Sequence, residues 1–142
     1  MAAHQRIEVK IDPPEADINR LQQCLHNYNV SLVGNLGRWS LLLTIVDSNN
    51  DLIGGLFGRI SSGWLFVDTL WVADQARGRG QGRDLLRAAE EEARKHGCRN
   101  AWVDTYNPRA RTFYEKNGYI VFAELPDYPP GHTRYFLKRP LA

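Results

Sequence analysis

The sequence contains little cysteine: Cys24 and Cys98 are its only thiols among 142 residues. Two thiols so far apart along the chain supply neither a disulfide framework nor a cluster of metal ligands. We therefore expect both to be reduced, as in a cytoplasm, and we expect no bound metal. The amino-terminal residues lack the apolar stretch of a signal peptide, and the uncharged run 39–46 is too short to span a bilayer. These absences predict a soluble, cytoplasmic protein without a membrane partner.

Net charge is also low, at +2, so no strong field draws the whole molecule towards a polyanion. Basic residues do cluster at Arg77, Arg79 and Arg83, but aromatic residues are not interleaved with them as they are in nucleic-acid binders. Nucleic acid is therefore not an expected partner. The length suits one domain covering residues 1–142, and the apolar fraction of 43% is ordinary for a globular protein.

Periodicity and turn residues predict the element order β-α-β-β-β-α-β-α-β-β. We expect strands at residues 8–11, 39–47, 52–61, 64–72, 99–106, 119–125 and 133–138, and helices at 16–28, 83–96 and 110–117. Glycines 54, 55 and 58 inside the third of these strands indicate a bulge or a close backbone approach. A strand, helix and strand around residues 64–106 predict one parallel pair within an otherwise antiparallel sheet. The predicted fold is a mixed α/β sandwich.

A glycine-rich segment joins the strand 64–72 to the helix that follows. Gly78, Gly80 and Gly82 alternate with other residues, so the backbone can bend closely and leave N–H groups free before the helix. A helix N-terminus with nearby arginines favours a phosphate or diphosphate. The segment lacks the Gly-Lys-Ser/Thr ending of a P-loop, and its third glycine comes one residue too early for a dinucleotide-binding motif.

Two blocks of sequence resemble the GNAT acetyltransferase superfamily. The run Arg77-Gly78-Arg79-Gly80-Gln81-Gly82 is similar to that family's Arg/Gln-x-x-Gly-x-Gly/Ala signature. The second block consists of Asn107, Ala110 and the run Phe113-Tyr114-Glu115-Lys116-Asn117-Gly118-Tyr119, and it is similar to the family's Asn-x-x-Ala-x-x-Phe-Tyr-x-x-x-Gly-Phe/Tyr. The resemblance covers roughly residues 64–125. It implies a GNAT-like, mostly antiparallel sheet flanked by helices, with a splayed parallel strand pair in the centre.

The same resemblance implies transfer of an acetyl group from acetyl-CoA to a primary amine within a ternary complex. The loop amides would hold the diphosphate of coenzyme A, and the pantetheine arm would lie beside the strand that ends at Val72. The residues expected to contact the cofactor are Leu70, Trp71, Val72, Arg77, Gly78, Arg79, Gly80, Gln81, Gly82, Arg83, Asn107 and Tyr114. Tyr114 matches the family's usual general acid, which protonates the departing thiolate.

The sequence offers several candidates for the general base. Strict alternation places Asp68 on the same strand face as Leu70 and Val72, where a carboxylate can deprotonate the attacking amine. Asp104, on the neighbouring strand, and His132, in the last loop, are competitors, and ordered water is another solution. Backbone N–H groups near residues 70–72 are candidates to stabilise the oxyanion.

The acceptor is a small-molecule or peptide amine of unknown identity. Its predicted neighbours are polar and aromatic residues of the first helix, the strands and the last loop: Tyr28, Asn29, Trp39, Trp64, Tyr106, Tyr128 and His132. An alternative function is a coenzyme A-binding regulatory module without turnover. A homodimer is an open possibility, by analogy with the family alone.

Overall fold

A computed structural model describes residues 4–142. Its elements in chain order are α1 (Glu15–Val33), β1 (Arg38–Val46), β2 (Leu52–Ser61), β3 (Trp64–Val72), a short 3₁₀ turn (Asp74–Ala76), α2 (Gln81–Lys95), β4 (Asn100–Thr105), α3 (Pro108–Lys116), β5 (Ile120–Pro126) and β6 (Thr133–Pro140). In the stretch 4–142, none of the helices combines the length and the apolar character needed to cross a membrane.

Contacts divide the described chain into two units, with the boundary after Leu36. The first unit contains α1, which begins after Pro14 and carries Glu15 and Asp17 in its first turn, where carboxylates stabilise the helix dipole. The helix continues to Val33 because no glycine or proline interrupts it before Gly34, whose positive φ of 81° ends it. The predicted end of this helix at residue 28 was therefore too early.

The strand predicted at residues 8–11 is wrong. These residues are irregular, and the alternating side chains of Val9 and Ile11 are 82% and 85% exposed. Alternation of polar and apolar residues yields a strand only when a neighbouring strand supplies hydrogen-bond partners. Among residues 4–142 no such partner strand pairs with this segment.

The second unit is a six-stranded sheet in the order β1-β2-β3-β4-β6-β5. Every neighbouring pair is antiparallel except β3 and β4, which are parallel and are joined through α2. This arrangement confirms the mixed, mostly antiparallel sheet with a parallel pair at its centre. The remaining strands and both later helices lie within a few residues of their predicted bounds.

One face of the sheet, here called the helix face, packs against α2 and α3. Leu86, Ala89 and Ala93 of α2 are fully buried there against strand residues such as Leu65 and Leu137. Burial of each leucine side chain contributes about 1.5–3 kcal/mol, so this layer stabilises the second unit. The opposite face, here called the second face, carries the strand residues that alternate with those of the helix face.

A buried carboxylate interrupts this apolar layer. Glu90 of α2 is 1% exposed, and it accepts a hydrogen bond of 2.7 Å from the Tyr119 hydroxyl. The Arg139 guanidinium donates to the other carboxylate oxygen, also at 2.7 Å. A buried charge requires such partners, so the three residues tie α2, β5 and β6 together.

A bulge alters the alternation of β3. Phe57 of β2 faces Thr69 of β3, but the next residue, Gly58, faces Val67, so Asp68 is an extra residue. A Cβ added at Gly58 would lie only 3.0 Å from the Phe66 carbonyl oxygen. The prediction of a bulge or a close backbone approach at the β2 glycines is confirmed by the close approach at Gly58, while the extra residue of the bulge lies in β3.

The parallel pair separates halfway along its length. Pairing runs from Trp64 and Asn100 to Val67 and Val103, whereas β3 continues to Val72 and β4 to Thr105. The point at which the two strands part is here called the fork. The structure thus has the predicted splay, and the fork positions the site described next.

Candidate functional site

A cavity of about 590 Å³ lies on the helix face of the fork. Its walls are the end of β3, the loop and first turn that begin α2, and the first two turns of α3. Such a volume is within the range of small-molecule and cofactor sites. The cavity lies entirely within the second unit.

The loop before α2 presents free backbone donors to this cavity. Gly78 and Gly80 have positive φ angles of 81° and 76°, which bend the chain so that α2 begins at Gln81 without a side-chain cap. In residues 4–142, no turn, loop or cap hydrogen bond uses the N–H groups of residues 78–83. Several N–H groups at the positive end of a 15-residue helix form a favourable anion site.

Two of these glycines also keep space open. A Cβ at Gly80 would lie 3.3 Å from Nη2 of Arg83, and one at Gly82 would lie 3.4 Å from the Phe113 ring. Both glycines line the cavity. The backbone of the loop can therefore approach a ligand more closely than any side chain would allow.

The three clustered arginines have different positions. Arg77 lines the cavity and also closes the loop, because its Nε donates to the Val72 carbonyl at 2.9 Å and its Nη1 pairs with Asp74 at 2.6 Å. Arg83 lines the cavity, and its nearest carboxylate, Asp84, is 3.9 Å away. Arg79, predicted to bind the cofactor, is not among the residues that line the cavity.

Tyr114 lines the cavity from α3 and is only 5% exposed. Its ring packs edge-on against Phe113 and Tyr119, with centroid distances of 5.2 and 5.5 Å. Burial raises the pKa of the Tyr114 hydroxyl above its usual value, and the nearby Asp104 carboxylate raises that pKa further. The phenol therefore stays protonated well into alkaline solution, as a proton donor must.

Asn107 both lines the cavity and starts α3. Its side-chain oxygen accepts a hydrogen bond of 2.9 Å from the Arg109 N–H, and its own N–H donates to Thr105 at 3.1 Å. This is an N-cap, with Pro108 in the favoured first helical position. The cap fixes the direction of α3 and hence the position of Tyr114.

The end of β3 supplies the third wall. Leu70, Trp71 and Val72 all line the cavity, as predicted. Pairing with β4 stops at Val67, so within the described chain this stretch of β3 has no strand partner on its β4 side. An extended ligand with amide groups can add there in the manner of a short extra strand.

Asp68 lies elsewhere. It does not line the cavity, and its carboxylate pairs with Arg59 at 3.3 Å and accepts from the Thr69 hydroxyl at 2.9 Å. Arg59 is adjacent in β2 to the buried Ile60, so it belongs to the second face. The expectation that Asp68 shares a face with Leu70 and Val72 was wrong, because the bulge at Asp68 reverses the alternation.

The predicted acceptor neighbours fall into separate places. The rings of Tyr106 and His132 are 6.1 Å apart beside the end of β4, and Tyr128 lies nearby through a shared contact with Arg134. By contrast, Trp39 packs against His96 at the end of α2. Trp64 lies at the start of β3, away from the fork, while Tyr28 and Asn29 belong to the first unit.

Sequence reasoning missed several cavity residues. Ala76, Arg109, Ala110 and Phe113 line the cavity but were not predicted to bind a ligand. The second block of the resemblance already contained Ala110 and Phe113, and Arg109 follows the N-cap, so spacing from Asn107 was the available signal. Arg134, which joins Tyr106 and Tyr128, had no such signal.

Comparison with known proteins agrees with this geometry. A profile of the Acetyltransferase (GNAT) family matches residues 8–119. Acetyltransferase Atu2258 of Agrobacterium fabrum is 38% identical over 112 residues, which are 79% of this chain and 82% of that protein. Blasticidin-S acetyltransferase of Streptomyces morookaense is 45% identical over 92 residues, or 64% and 68% of the two chains.

A solved structure gives the same result. The crystal structure of an acetyltransferase from Bacillus cereus superposes with a TM-score of 0.80 at 25% identity, and the match covers 94% of this chain and 97% of that one.

Proposed function

The chain belongs to the GNAT acetyltransferase family, and from this premise we propose that it moves the acetyl group of acetyl-CoA directly to a primary amine. The observation that carries the proposal is the cavity at the fork, which joins an anion-binding helix end to an unpaired strand edge and a buried tyrosine. Each of these features matches a different part of a long ligand with a diphosphate, an amide-containing arm and a thioester.

The start of α2 fits the diphosphate. Free N–H groups at residues 78–83 and the helix dipole favour the negative charge, and Arg77 and Arg83 add full positive charge at the cavity wall. Arg109, at the start of α3, contributes a further cation from the opposite wall. A phosphate group at this position would complete the α2 cap that no side chain provides.

The end of β3 fits the pantetheine arm. Its free edge from residue 68 to Val72 offers N–H and C=O groups to the amides of the arm. Some of the same N–H groups are available to stabilise the oxyanion that forms when the amine attacks the thioester. Asn107 contributes to this wall through the α3 cap.

Tyr114 acts as the general acid in this proposal. Its hydroxyl keeps its proton at neutral pH because burial raises its pKa. The same buried surroundings make a thiolate formed beside it more basic, so the hydroxyl can hydrogen-bond to the departing sulfur and donate its proton to it. The phenol thus stabilises the departing thiolate and favours collapse of the tetrahedral intermediate towards the amide. Phe113 and Tyr119 hold the ring in one orientation by packing on it from two sides.

Asp68 remains the proposed general base, now acting from the second face. It is the first residue of β3 beyond the last parallel pair, so its carboxylate lies beside the opening of the fork. An amine approaching the thioester through the fork would pass this carboxylate, and proton transfer would be direct or through one water molecule. The ion pair with Arg59 holds the carboxylate in place.

Calorimetric titration with acetyl-CoA, coenzyme A and duplex DNA tests the first half of this proposal. We expect micromolar or tighter binding of both coenzyme A forms and none of DNA. Release of free thiol from acetyl-CoA in the presence of a library of primary amines tests the second half.

Two outcomes would contradict the proposal in different ways. Failure of acetyl-CoA to bind would remove the function altogether. Binding without thiol release from any amine would instead favour a coenzyme A-binding module without turnover. Arg99→Gln, which alters a cation outside the cavity lining, is a control variant that should match the wild type in both measurements.

A further inference from the structure

A cluster of charged and aromatic side chains lies on the second face at the fork. Asp104 is the first residue of β4 beyond the last parallel pair, just as Asp68 is on β3. Its neighbour Val103 is buried on the helix face, so Asp104 points to the second face. Asp104 is also near enough to Tyr114, which lines the cavity, to contribute to the raised pKa of that residue. The cluster is therefore next to the proposed reaction centre, on the side opposite the coenzyme A cavity.

Arg134 of β6 is the centre of this cluster. Its Nη1 donates to the Asp104 carboxylate at 2.8 Å, and the two side chains are only 19% and 21% exposed. Its guanidinium carbon lies 3.8 Å from the centre of the Tyr128 ring and 5.3 Å from that of Tyr106. Contacts to a carboxylate and two rings hold the guanidinium plane in one orientation.

One donor of this guanidinium has no acceptor. The Nε atom of Arg134 is buried and lacks a hydrogen-bond partner in the described chain. Such an unpaired donor is costly and requires an explanation. Nε–H and one N–H of Nη2 project from the same edge of a guanidinium, and this edge can bind a carboxylate through two parallel hydrogen bonds. Asp104 is bound through the other terminal nitrogen, Nη1.

We propose that the Asp104–Arg134 pair, with the rings of Tyr106 and Tyr128, is the acceptor subsite, and that it selects amines bearing a carboxylate a few bonds from the nitrogen. The Nε edge of Arg134 is closed to solvent, so in this proposal neighbouring side chains move to admit the acceptor carboxylate to that edge. Asp104 attracts the ammonium group of the acceptor towards the fork. The two rings, which are 47% and 48% exposed, cover the carbon chain between the charges. This inference rests on the proposed acetyl transfer, and it names the substrate class.

Matched pairs of acceptors test the proposal. Each pair contains an amino acid, with the amine at the α or β position, and the corresponding amine without the carboxylate. Binding to the protein, both free and saturated with coenzyme A, is measured first by calorimetry, so that the result does not depend on turnover. We then expect kcat/KM for acetyl transfer to favour the carboxylate member by about tenfold or more.

Three variants locate the effect. Arg134→Gln and Arg134→Lys should both reduce the preference for the carboxylate member to near unity, chiefly through KM. Arg134→Lys keeps a cation beside Asp104, so it protects the measurement if Arg134→Gln folds poorly. Lys138→Gln is the control, because Lys138 is also a β6 cation beside an aromatic ring, that of Phe122 at 5.4 Å. It should retain the wild-type preference.

Several results would overturn the inference. One is that the wild type binds the two members of each pair equally well. Another is that the Arg134 variants lose the same factor in kcat/KM for both members. Acetylation confined to amines without a carboxylate would also overturn it. Failure of acetyl-CoA to bind would instead count against the proposed function, whereas the calorimetric comparison of acceptors would still decide the subsite.

Discussion

The two sides of the fork present different chemical groups to a ligand. On the helix face, the cavity presents backbone: N–H groups of residues 78–83, the free edge of β3, and Gly80 and Gly82, which keep space open. On the second face, the proposed acceptor subsite presents side chains, namely Arg134, Asp104 and two tyrosine rings. Backbone suits a ligand that is the same in every member of a family, whereas side chains can change without altering the fold.

A side chain at Gly80 should have the largest effect on the backbone-lined cavity. Gly80→Val would force a β-branched residue to adopt a φ of 76° and would place methyl groups in the cavity wall. We expect the Kd of acetyl-CoA to rise about 100-fold, equivalent to about 2.7 kcal/mol. Calorimetric titration of the variant with acetyl-CoA measures the change.

Gly63→Val is the matched control for that variant. Gly63 has a φ of 82° in the turn between β2 and β3, and a Cβ there would have nothing within 4 Å. It should therefore suffer similar backbone strain, about 1–2 kcal/mol, without losing affinity for acetyl-CoA. Equal loss of affinity in both variants would show that strain, and not the cavity, is responsible.

Tyr114→Phe tests the one side chain on the helix face to which we assign proton transfer. It keeps the ring packing against Phe113 and Tyr119 but removes the hydroxyl. We expect kcat to fall about 10- to 100-fold with the Kd of acetyl-CoA unchanged. Stopped-flow measurement of thiol release gives kcat, and an unchanged kcat would remove Tyr114 from the mechanism.

Asp68→Asn tests whether the second face also provides the base. The shape of the pH–rate profile of kcat/KM should change, and its plateau should fall about tenfold. Asp51→Asn, in the exposed turn between β1 and β2, is a control that should leave the profile unchanged. Superimposable profiles for Asp68→Asn and the wild type would exclude Asp68 and leave ordered water or a competitor such as His132 as the base.

Tyr119→Phe should lower the free energy of unfolding, with little effect on the coenzyme A cavity or on the proposed acceptor subsite. At pH 7.5 the variant leaves one oxygen of the buried Glu90 without its 2.7 Å partner, which should cost about 1–3 kcal/mol in urea denaturation.

The same variant should also change the pH dependence of stability. Burial raises the pKa of the Tyr119 hydroxyl in the folded state, and the neighbouring Glu90 carboxylate raises it further. The contribution of Tyr119 to the free energy of unfolding is therefore complete below the ordinary tyrosine pKa of about 10 and is lost as pH rises beyond it. The wild type should therefore lose stability above about pH 10, and Tyr119→Phe should lose less. Equal slopes for the two proteins would contradict this assignment.

The difference between the two faces also explains what the sequence could predict. Glycine spacing, a strand ending at Val72 and a helix beginning near Gln81 are local properties, so the anion site could be inferred from a short segment. Tyr114 lay within a motif. In contrast, Arg134 meets Asp104 only because β4 and β6 are neighbours in the sheet, across 30 residues of chain.

Errors in the fold have a similar origin. The irregular residues 8–11 have the alternation of a strand, but a strand also needs a partner, which the pattern does not contain. The face of Asp68 was predicted wrongly because one extra residue in β3 shifts the alternation. Glycines in β2 indicated that a bulge existed, but they did not indicate that the extra residue was in the neighbouring strand.

The fork has a consequence for the behaviour of the protein before it meets a ligand. A sheet normally exposes unpaired strand edges only at its outermost strands, here β1 and β5, but the fork opens further edges in its interior. Unpaired edges can recruit strands from other molecules and so promote aggregation. A ligand that adds as an extra strand pairs with these edges. Coenzyme A should therefore keep the protein soluble during purification and storage.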